Sequence, residues 1–571
     1  MKKYLSFILF LSISSAFLQA KEPVKNGKGY SCPLACPPLL NGGFGELRAN
    51  HFHAGLDYKT ESIENKPVMS VADGYVSRVS ISPSGYGKLL FIAHPHTGET
   101  SVYAHLNGFA PKIDSLVRNY QYKNQTFSCD IRFSADSITV KQGEFVALSG
   151  NTGGSAGPHL HFELRDTETE DFINPAVYKM GITDNVPPKF FTLKIYPQRN
   201  EGILNGSQTT KKIPLTTNAQ GISRFTNPTE LTAWGKIGLG IKAYDYANGT
   251  ANTLGINTVS LEVDGKEIFR YRNDRFKTAD NRYINSFIDY DEYKRSGEFI
   301  MKSFVDKGNL AGFFENVANQ GILNICEERV YPVRYIISDA YGNKSMFSFN
   351  IKGRKTAIAP SAEKCGIRMP FDVDNRFETE QVRVEIPKNT LYNDICFEFA
   401  TEKSEKFYSD YYQIHVDNVP LHQFFNIAIK LNDKQIRDTA KLYALRSDAK
   451  NRTQPYVGKV ENGFYTFKAR DFGKFVIKTD TVAPKITPLN FSNFAAAPFI
   501  SLKITDNITG IASYNGYIDG KWVLFEYDLK TSTIKYLLRK EEIGRNKNHK
   551  FRLVVRDLVG NETAFEKMFW W

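Results

Sequence analysis

A short stretch of the chain, Gly157-Pro-His-Leu-His-Phe-Glu163, has the alternation of side chains that is typical of a β-strand. Successive side chains of a strand point to opposite faces, so His159 and His161 share one face while Leu160 and Phe162 point into a core. Two imidazoles on a rigid strand can hold a metal ion or move a proton. Seven of the ten histidines lie between residues 51 and 161. This clustering predicts a functional centre in the N-terminal part of the chain.

The sequence around this stretch predicts an antiparallel β-sheet. Between residues 45 and 180, short β-rich runs alternate with turn signals, at residues 68–71, 75–81, 89–93, 100–105, 140–148 and 159–165. We find no amphipathic helix pattern here, and the many Tyr and Phe residues of the whole chain favour strands. The predicted fold class is therefore all-β. A polar, Tyr-rich insertion at residues 107–137 leaves directly from His105, so we expect a loop that overhangs the functional centre.

Two later segments are related by an internal repeat. Asp184-Asn-Val-Pro-Pro188 is similar to Asp480-Thr-Val-Ala-Pro484, and both precede β-rich sequence. The further shared landmarks are Asp245 and Asp506, Asp264-Gly265 and Asp519-Gly520, and the closing turns Asp339-Ala-Tyr-Gly-Asn343 and Asp557-Leu-Val-Gly-Asn561. The repeat predicts two immunoglobulin-like β-sandwiches with a third β-rich stretch between them.

At 571 residues the chain is too long for one core, and these features divide it into four predicted domains. They are the N-terminal domain (residues 21–182), the first sandwich domain (183–355), the middle domain (356–479) and the C-terminal domain (480–571). The last three domains contain no catalytic-looking group of residues, and their histidines, His415, His422 and His549, are isolated.

Residues 1–20 have the pattern of an export signal, with Lys2 and Lys3 before an apolar run and Ala20 at a plausible cleavage point. An uncleaved membrane anchor is the alternative, and no later stretch is long and apolar enough to span a bilayer. The six cysteines fit an oxidising compartment, although their pairing cannot be deduced. A zinc knuckle at Cys32-x-x-x-Cys36 lacks a second Cys or His pair, which favours a local disulfide or free thiols. We expect a periplasmic or secreted protein.

The charge of the chain disfavours nucleic acid as a partner. Removal of Lys2 and Lys3 lowers the formal net charge from +12 to +10, and the excess is spread out with no arginine-rich run. A mildly basic surface suits an anionic polymer outside the cytoplasm, and a solvated surface with no partner explains it equally well.

A second group of residues, His53-Ala-Gly-Leu-Asp57, completes a candidate metal site. Residues four apart in extended structure share a face, so His53 and Asp57 both reach inward, and Gly55 keeps a side chain from obstructing the metal. With one histidine of the 159/161 pair, they form the three-ligand, open arrangement of a catalytic zinc, for which imidazole and carboxylate are suitable ligands. Zinc acidifies water and polarises a carbonyl, as amide hydrolysis requires. His105 and the other histidine of the pair remain to orient the water or stabilise the oxyanion.

From Phe44 to Tyr178 the sequence resembles the LytM/lysostaphin-type zinc metallopeptidases of the M23 family. The matching blocks, in the order of that family, are Asn50-His-Phe-His-Ala-Gly-Leu-Asp57, Val71-Ala-Asp-Gly-Tyr-Val76, Gly85-Tyr-Gly87, His94, Tyr103-Ala-His-Leu106, Ser149-Gly-Asn-Thr-Gly153 and Gly157-Pro-His-Leu-His-Phe-Glu163. They span about a quarter of the chain. The resemblance implies that His53, Asp57 and His161 bind one zinc ion and that His105 and His159 are the catalytic histidines.

The lead-in Phe44-Gly-Glu-Leu-Arg48 and the insertion after His105 resemble a Bacteroidetes-type variant of the family with C-terminal immunoglobulin-like domains. Arg48 is expected to pair with a substrate carboxylate or with Glu163, or to form a structural ion pair. His94 is expected to be structural, whereas the face to which His51 points is left open.

The M23 resemblance implies an exported endopeptidase that cleaves peptide bonds in bacterial peptidoglycan, in cross-links or in stem peptides. One alternative is a catalytically silent or gated protein that binds the wall and activates another hydrolase, and another is a zinc peptidase that acts on proteins. The cleaved bond, a gating role of residues 107–137 and the oligomeric state stay open. All five site positions are intact, which favours an active enzyme, and the β-domains are expected to position it on the wall or on a protein partner.

Overall fold

The computed structural model describes residues 29–571 apart from 36–37, 179, 361–364, 433, 435, 492–493 and 495–496. The predicted signal peptide and Cys36 lie outside the described residues. Most of the regular structure consists of β-strands, so the all-β prediction is confirmed. Among the described residues, no helix combines the length and apolar character that crossing a membrane would need.

An antiparallel sheet forms the centre of the N-terminal domain. In this sheet Leu56–Lys59 pairs with His159–Asp166, which is followed by Glu99–Ala104, Lys88–His94 and Gly74–Ile81. Large apolar side chains fill the core beside it, among them Tyr58, Leu90, Tyr103, Leu160 and Phe162. The burial of Leu160 and Phe162 agrees with the alternation from which this strand was predicted.

The remaining strands of this domain are short and surround the central sheet. They are Leu40–Gly42, Leu47–Arg48, His51–Phe52, Pro67–Met69, Gly108–Phe109, Cys129–Arg132, Thr139–Val140, Phe145–Leu148 and Phe172–Ile173, and a 3-10 helix spans Pro175–Tyr178. Each of the six predicted β-rich runs contains strand, and the run at 140–148 is divided between two strands by a turn.

The insertion after His105 contains an α-helix, Pro111–Asn124, where we expected a loop. Proline in the first turn has the φ that a helix needs, and Ile113, Val117 and Gln121, four residues apart, form its buried face. The sequence pattern was not recognised because only two of these three positions are apolar, which is too few for a clear amphipathic stripe.

Eleven strands of the first sandwich domain join in one sheet. Thr232–Tyr244 pairs with both Lys189–Leu204 and Lys344–Gly353, which closes five of the strands into a ring. The other strands of this sheet are Lys211–Thr217, Ile222–Phe225, Thr258–Val263, Lys266–Arg272, Met301–Lys302, Phe314–Val317, Leu323–Ile325 and Val330–Ser338. The helices are Thr278–Tyr283 and Ala318–Gly321, which are 3-10, and Ile284–Phe287 and Tyr290–Ser296, which are α. A separate strand, Arg275–Phe276, pairs with the N-terminal domain at Phe172–Ile173.

The middle domain contains two five-stranded sheets. One consists of Asn375–Glu378, Val382–Ile386, Phe425–Lys430, Phe464–Ala469 and Lys459–Glu461, and the other of Phe399–Glu402, Tyr411–Ile414, Gly473–Thr479, Leu442–Ser447 and Thr453–Tyr456. Arg368–Met369 pairs with Ile395–Cys396, a 3-10 helix spans Thr439–Lys441, and a disulfide joins Cys365 to Cys396. Its buried apolar residues form a core separate from that of the other domains.

The C-terminal domain contains two four-stranded sheets. They consist of Lys485–Asn490, Phe499–Thr505, Thr533–Leu537 and Glu526–Asp528, and of Lys521–Val523, Ile511–Ile518, Asn548–Asp557 and Glu562–Trp570.

Aromatic side chains join the N-terminal domain to the first sandwich domain. Phe52, which directly precedes His53, is fully buried. The centre of its ring lies 5.8 Å from that of Phe276, 5.9 Å from Phe287 and 5.2 Å from Phe313. The first sandwich domain therefore holds the segment that leads into the functional centre.

The C-terminal domain also contacts the N-terminal domain. The Lys88 ammonium donates to the Glu526 carboxylate at 2.9 Å, and Lys530 donates to the carbonyl oxygen of Asn151. Glu542 accepts hydrogen bonds from two side chains of the Pro111–Asn124 helix. The C-terminal domain thus lies against the Lys88–His94 strand and against the loop that follows Gly150.

Candidate metal centre

Two paired strands position the candidate ligands. Asp57 and His161 are directly opposite each other in the register of Leu56–Lys59 with His159–Asp166. His53 precedes Asp57 by four residues and follows Phe52, whose burial fixes the approach of the chain. The three side chains are almost completely buried, with exposed fractions of 2% for His53, 3% for Asp57 and 3% for His161.

Three potential ligand atoms converge between these side chains. His53 Nε2 lies 3.0 Å from Asp57 Oδ1 and 2.9 Å from His161 Nδ1, and His161 Nδ1 lies 2.9 Å from Asp57 Oδ1. The structure therefore brings together the three residues that the sequence analysis assigned to the metal.

The outer nitrogens of both imidazoles are held by acceptors. His53 Nδ1 lies 2.7 Å from the carbonyl oxygen of Gly43, and His161 Nε2 lies 2.9 Å from Glu163 Oε1. When each outer nitrogen donates its proton to these oxygens, the inner nitrogens carry lone pairs that face the same point. Two lone pairs and a carboxylate oxygen repel one another unless a cation lies between them, so this donor set fits a metal ion.

A second layer of charged groups surrounds the ligands. Arg48 donates to Asp57 Oδ2 at 2.7 Å, and Arg165 donates to Glu163 Oε2 at 2.7 Å. Burial disfavours the Glu163 carboxylate, but Arg165 and His161 outweigh this effect and lower the pKa of Glu163 to about 2. Glu163 therefore stays ionised and orients the His161 ring.

The centre attracts positive charge in the absence of a metal. Burial opposes ionisation of Asp57, but His53, His159 and His161 outweigh it and hold the pKa of Asp57 well below its ordinary value. Burial likewise opposes protonation of His161, yet Asp57 and Glu163 raise the pKa of His161 to about 9. A metal cation that binds between Asp57 and His161 displaces the proton that His161 otherwise holds.

His105 and His159 lie beside the three candidate ligands. Their ring centres are 4.8 Å apart, and His159 Nε2 lies 3.5 Å from Asp57 Oδ1. His105 Nδ1 is 2.8 Å from the carbonyl oxygen of Thr152, and His159 Nδ1 is 2.8 Å from that of Gly157. Burial, followed by the neighbouring His161 and His159, lowers the pKa of His105 to about 3, which keeps this imidazole neutral.

Of our expectations about two neighbouring residues, the one for Gly55 is wrong, and one of the alternatives for Arg48 is found. A Cβ on Gly55 would lie 2.2 Å from the carbonyl oxygen of Phe162, so this glycine makes room for the neighbouring strand and not for the metal. Arg48 does form a structural ion pair, one of the expected alternatives, but its partners are Asp57 and Glu46 and not Glu163.

The sequence analysis named Glu163 only as a candidate partner of Arg48, and it missed Arg165 and the Gly43 carbonyl oxygen. Glu163 and Arg165 continue the alternation of His159 and His161 on one strand face, so strand parity alone could have identified them as neighbours of the centre. The Gly43 carbonyl could not have been found in this way, because it belongs to another segment.

Two other histidines of the N-terminal domain, His94 and His51, do not belong to the metal centre. His94 is buried, with its ring nitrogens 2.9 Å from the Asp73 carbonyl oxygen and 2.8 Å from Ser101 Oγ, in keeping with the expected structural role. His51, whose direction was left open, is exposed and lies outside the group of converging ligand atoms.

The three converging side chains form a donor set that could hold a metal ion, and the sequence around them is similar to known metallopeptidases. Residues 51–122 match the model of peptidase family M23, and residues 367–480 match a Zu5-like domain. The N-terminal part of the chain is therefore similar to peptidase family M23 over residues 51–122.

Relatives of this chain share the same region. An uncharacterized metalloprotease of Haemophilus influenzae is 34% identical over 133 residues, which cover 23% of this chain and 22% of that protein. The DD-carboxypeptidase/endopeptidase Mpg of Neisseria meningitidis is 32% identical over 119 residues, which cover 21% of each protein. The peptidoglycan DD-endopeptidase ShyB of Vibrio cholerae is 30% identical over 112 residues, which cover 20% of each protein. The chain thus spans about a fifth of the length of these relatives.

Among solved structures, the catalytic domain of the prophage-encoded M23 protein EnpA from Enterococcus faecalis is similar at 23% identity. The match covers 26% of this chain and 95% of that domain, with a TM-score of 0.19.

Proposed function

We propose that the N-terminal domain is a zinc endopeptidase that hydrolyses peptide bonds of bacterial peptidoglycan. The observation that carries this proposal is the convergence of His53 Nε2, His161 Nδ1 and Asp57 Oδ1 within 2.9 to 3.0 Å of one another. Two imidazoles and one carboxylate are the ligands of an open, catalytic zinc site and leave a position for water or substrate. In this proposal His53, Asp57 and His161 hold one zinc ion.

A bound zinc ion would acidify water and polarise the carbonyl of the scissile peptide bond. The proton transfers then fall to His105 and His159. Because their Nδ1 atoms are held by backbone carbonyl oxygens, their Nε2 atoms are left to exchange protons with the reacting groups. Burial and the neighbouring His161 and His159 lower the pKa of His105, so this imidazole is neutral and has a nitrogen lone pair that can accept a proton from the attacking water.

The substrate assignment is supported by the relatives. Mpg is named a DD-carboxypeptidase/endopeptidase and ShyB a peptidoglycan DD-endopeptidase, and each shares about a fifth of its length with this chain. We extend peptidoglycan as substrate from these proteins to this one. Export by residues 1–20, a location in the periplasm or outside the cell, and the domain boundaries at 182, 355 and 479 belong to the same proposal.

A gated form of this enzyme is the second candidate, and the contacts of the C-terminal domain favour it. Lys88 and Asn151 of the N-terminal domain bind Glu526 and Lys530, and both lie beside Thr152. The carbonyl oxygen of Thr152 holds the His105 ring, so the C-terminal domain lies close to a proposed catalytic group. This arrangement supports a role for the domain in covering the site.

The roles of the histidines can be separated by one set of variants. His161→Gln should lose both bound zinc and hydrolysis of peptidoglycan, because it removes a ligand. His105→Gln should keep zinc and lose hydrolysis by roughly 100-fold or more, as expected for a proton-transfer residue. His94→Gln, a buried histidine outside the centre, is the matched control and should retain both. If His161→Gln retained stoichiometric zinc and full hydrolysis, the proposed centre would be wrong.

A further inference from the structure

Three aspartates meet where the N-terminal domain joins the first sandwich domain. Asp184 lies in the segment that leads into the Lys189–Leu204 strand, Asp245 directly follows Thr232–Tyr244, and Asp339 directly follows Val330–Ser338. One carboxylate oxygen of each lies within 4.8 Å of the others. Three segments distant in sequence therefore bring three carboxylates to one point.

This cluster has no positive partner among the described residues. Asp245 is only 4% exposed, and its Oδ1 atom is buried without a hydrogen-bond partner, as is Oδ2 of Asp184. None of the salt bridges of the described chain involves Asp184, Asp245 or Asp339. Burial, together with Asp339 and Asp184, raises the pKa of Asp245 well above its ordinary value. A buried carboxylate that faces two others is costly unless a proton or a metal cation neutralises it.

The Asn343 side chain forms hydrogen bonds to two of the three aspartates. The Asn343 amide donates to Asp339 Oδ2 at 2.6 Å and to the backbone carbonyl oxygen of Asp184 at 3.2 Å. Asp339 Oδ1 accepts from the backbone of Tyr341 and Asn343 at 2.9 Å each. These bonds hold Asp339 and Asp184 in place, whereas one buried oxygen each of Asp184 and Asp245 accepts no hydrogen bond.

The C-terminal domain repeats this arrangement. Asp480, Asp506 and Asp557 form an equivalent group within 4.8 Å, and Oδ1 of Asp506 is buried without a partner. The Asn561 amide donates to Asp557 Oδ2 at 2.7 Å and to the carbonyl oxygen of Asp480 at 3.0 Å, as Asn343 does in the first sandwich domain. The repeated landmarks of the sequence therefore coincide with a repeated set of oxygens.

We propose that Asp184, Asp245 and Asp339 bind a calcium ion. Oxygen-only ligands select hard cations, and several carboxylates with neighbouring backbone carbonyls suit Ca²⁺, whereas Mg²⁺ usually keeps most of its water. The absence of nitrogen and sulfur ligands separates this site from the zinc centre, which has two imidazoles. The triad of the C-terminal domain offers the same ligands.

The position of the ligands gives the ion a mechanical role. Asp184 belongs to the segment that connects two domains, whereas Asp245 and Asp339 belong to the body of the first sandwich domain. An ion held by all three fixes the connecting segment to the sandwich and thereby the placement of the N-terminal domain. Asp480 stands at the corresponding joint between the middle and C-terminal domains.

Calcium titration of the full-length, zinc-loaded chain tests this proposal. Calorimetry with CaCl₂ should show binding to the wild type, and MgCl₂ should bind more weakly. Asp245→Asn should weaken one calcium site by about tenfold or more, since it removes one of three charged ligands. Asp280→Asn is the matched control, because Asp280 is a buried aspartate that accepts from the Gly312 backbone at 3.1 Å and lies outside the cluster. It should bind calcium as the wild type does.

Thermal unfolding gives a second readout with a characteristic crossover. In calcium-free buffer Asp245→Asn should unfold at the same temperature as the wild type or higher, because repulsion between carboxylates is relieved. In saturating calcium the wild type should become the more stable of the two. Absence of calcium binding to the wild type, or unaltered binding to Asp245→Asn, overturns the proposal. If Asp245→Asn does not fold, Asp184→Asn takes its place, and retention of calcium by that variant overturns the proposal equally.

Discussion

Gly55→Ala is the substitution whose effect follows most directly from the packing around the metal centre. A Cβ at this position would lie 2.2 Å from the carbonyl oxygen of Phe162 and 3.0 Å from Cγ of Glu163. The first contact is with backbone, which cannot rotate away, so the two strands must separate. Steric overlap in a packed core lowers the free energy of unfolding by about 1–3 kcal/mol, and we expect a loss of about 3 kcal/mol for Gly55→Ala.

The same displacement should weaken the metal site. Gly55 precedes Asp57 by two residues, and Phe162 is adjacent to His161, so strand separation moves one ligand relative to the other. Ligand distances in a metal site are tolerated within only ~0.2 Å. Disturbances of the supporting residues typically reduce metal affinity by about 10–100-fold, and we expect a loss in this range.

Two assays check these expectations. Chemical denaturation of the metal-free protein reports the loss of stability, and competition with a chromophoric chelator reports zinc affinity. Gly108→Ala is the matched control, because a Cβ there meets nothing within 4 Å. The reasoning is refuted if Gly55→Ala unfolds within about 0.5 kcal/mol of the wild type, the range of neutral surface substitutions, and binds zinc with unchanged affinity.

Three further predictions concern the other domains. Glu526→Lys replaces the ion pair with Lys88 by repulsion between two ammonium groups. Since the Glu526 carboxylate is half exposed, the change should weaken the contact between the C-terminal and N-terminal domains by about 1 kcal/mol and speed cleavage of soluble peptidoglycan fragments about fivefold. An unchanged rate would argue against a covering role of the C-terminal domain. Burial lowers the pKa of His415 to about 4, so its contribution to stability is complete above the ordinary value of 6.5 and is lost as pH falls towards 4. Because burial also lowers the pKa of His422 to about 4, denaturation of the middle domain should show a loss of about 1–2 kcal/mol for each of these two histidines between pH 7 and pH 5, and a constant midpoint would contradict this. The Cys365–Cys396 disulfide closes a loop with a sequence separation of 31. Its reduction should therefore lower the free energy of unfolding of the middle domain by about 3–4 kcal/mol, and an unaltered unfolding curve after complete reduction would contradict this prediction.

Local sequence patterns predicted most of the N-terminal sheet because strands leave a direct signature. The apolar positions Leu160 and Phe162 are both buried, as strand parity requires. The Pro111–Asn124 helix was missed because its buried face includes the polar Gln121. Packing between domains, such as that of Phe52 against Phe276, depends on contacts between distant segments and leaves no local pattern.

In the candidate site, too, some features follow from local sequence patterns and others depend on contacts with distant segments. Strand parity placed His159 and His161 on one face, and the M23 resemblance selected His161 as the ligand, an assignment that stays a prediction. The structure adds the outer hydrogen bonds that orient the rings. The bond of His53 to the Gly43 carbonyl could not have been predicted, because no spacing rule relates residues ten apart in irregular chain.

Digestion of purified peptidoglycan by the zinc-loaded, full-length chain tests the central claim most directly. Products are identified by mass before chelation, after chelation and after zinc is restored. Loss of cross-linked or stem-peptide species that stops on chelation, returns with zinc and is absent in His161→Gln is the predicted result. Cleavage that persists without metal, or an intact polymer after treatment with the zinc-loaded wild type and Glu526→Lys, would contradict the account.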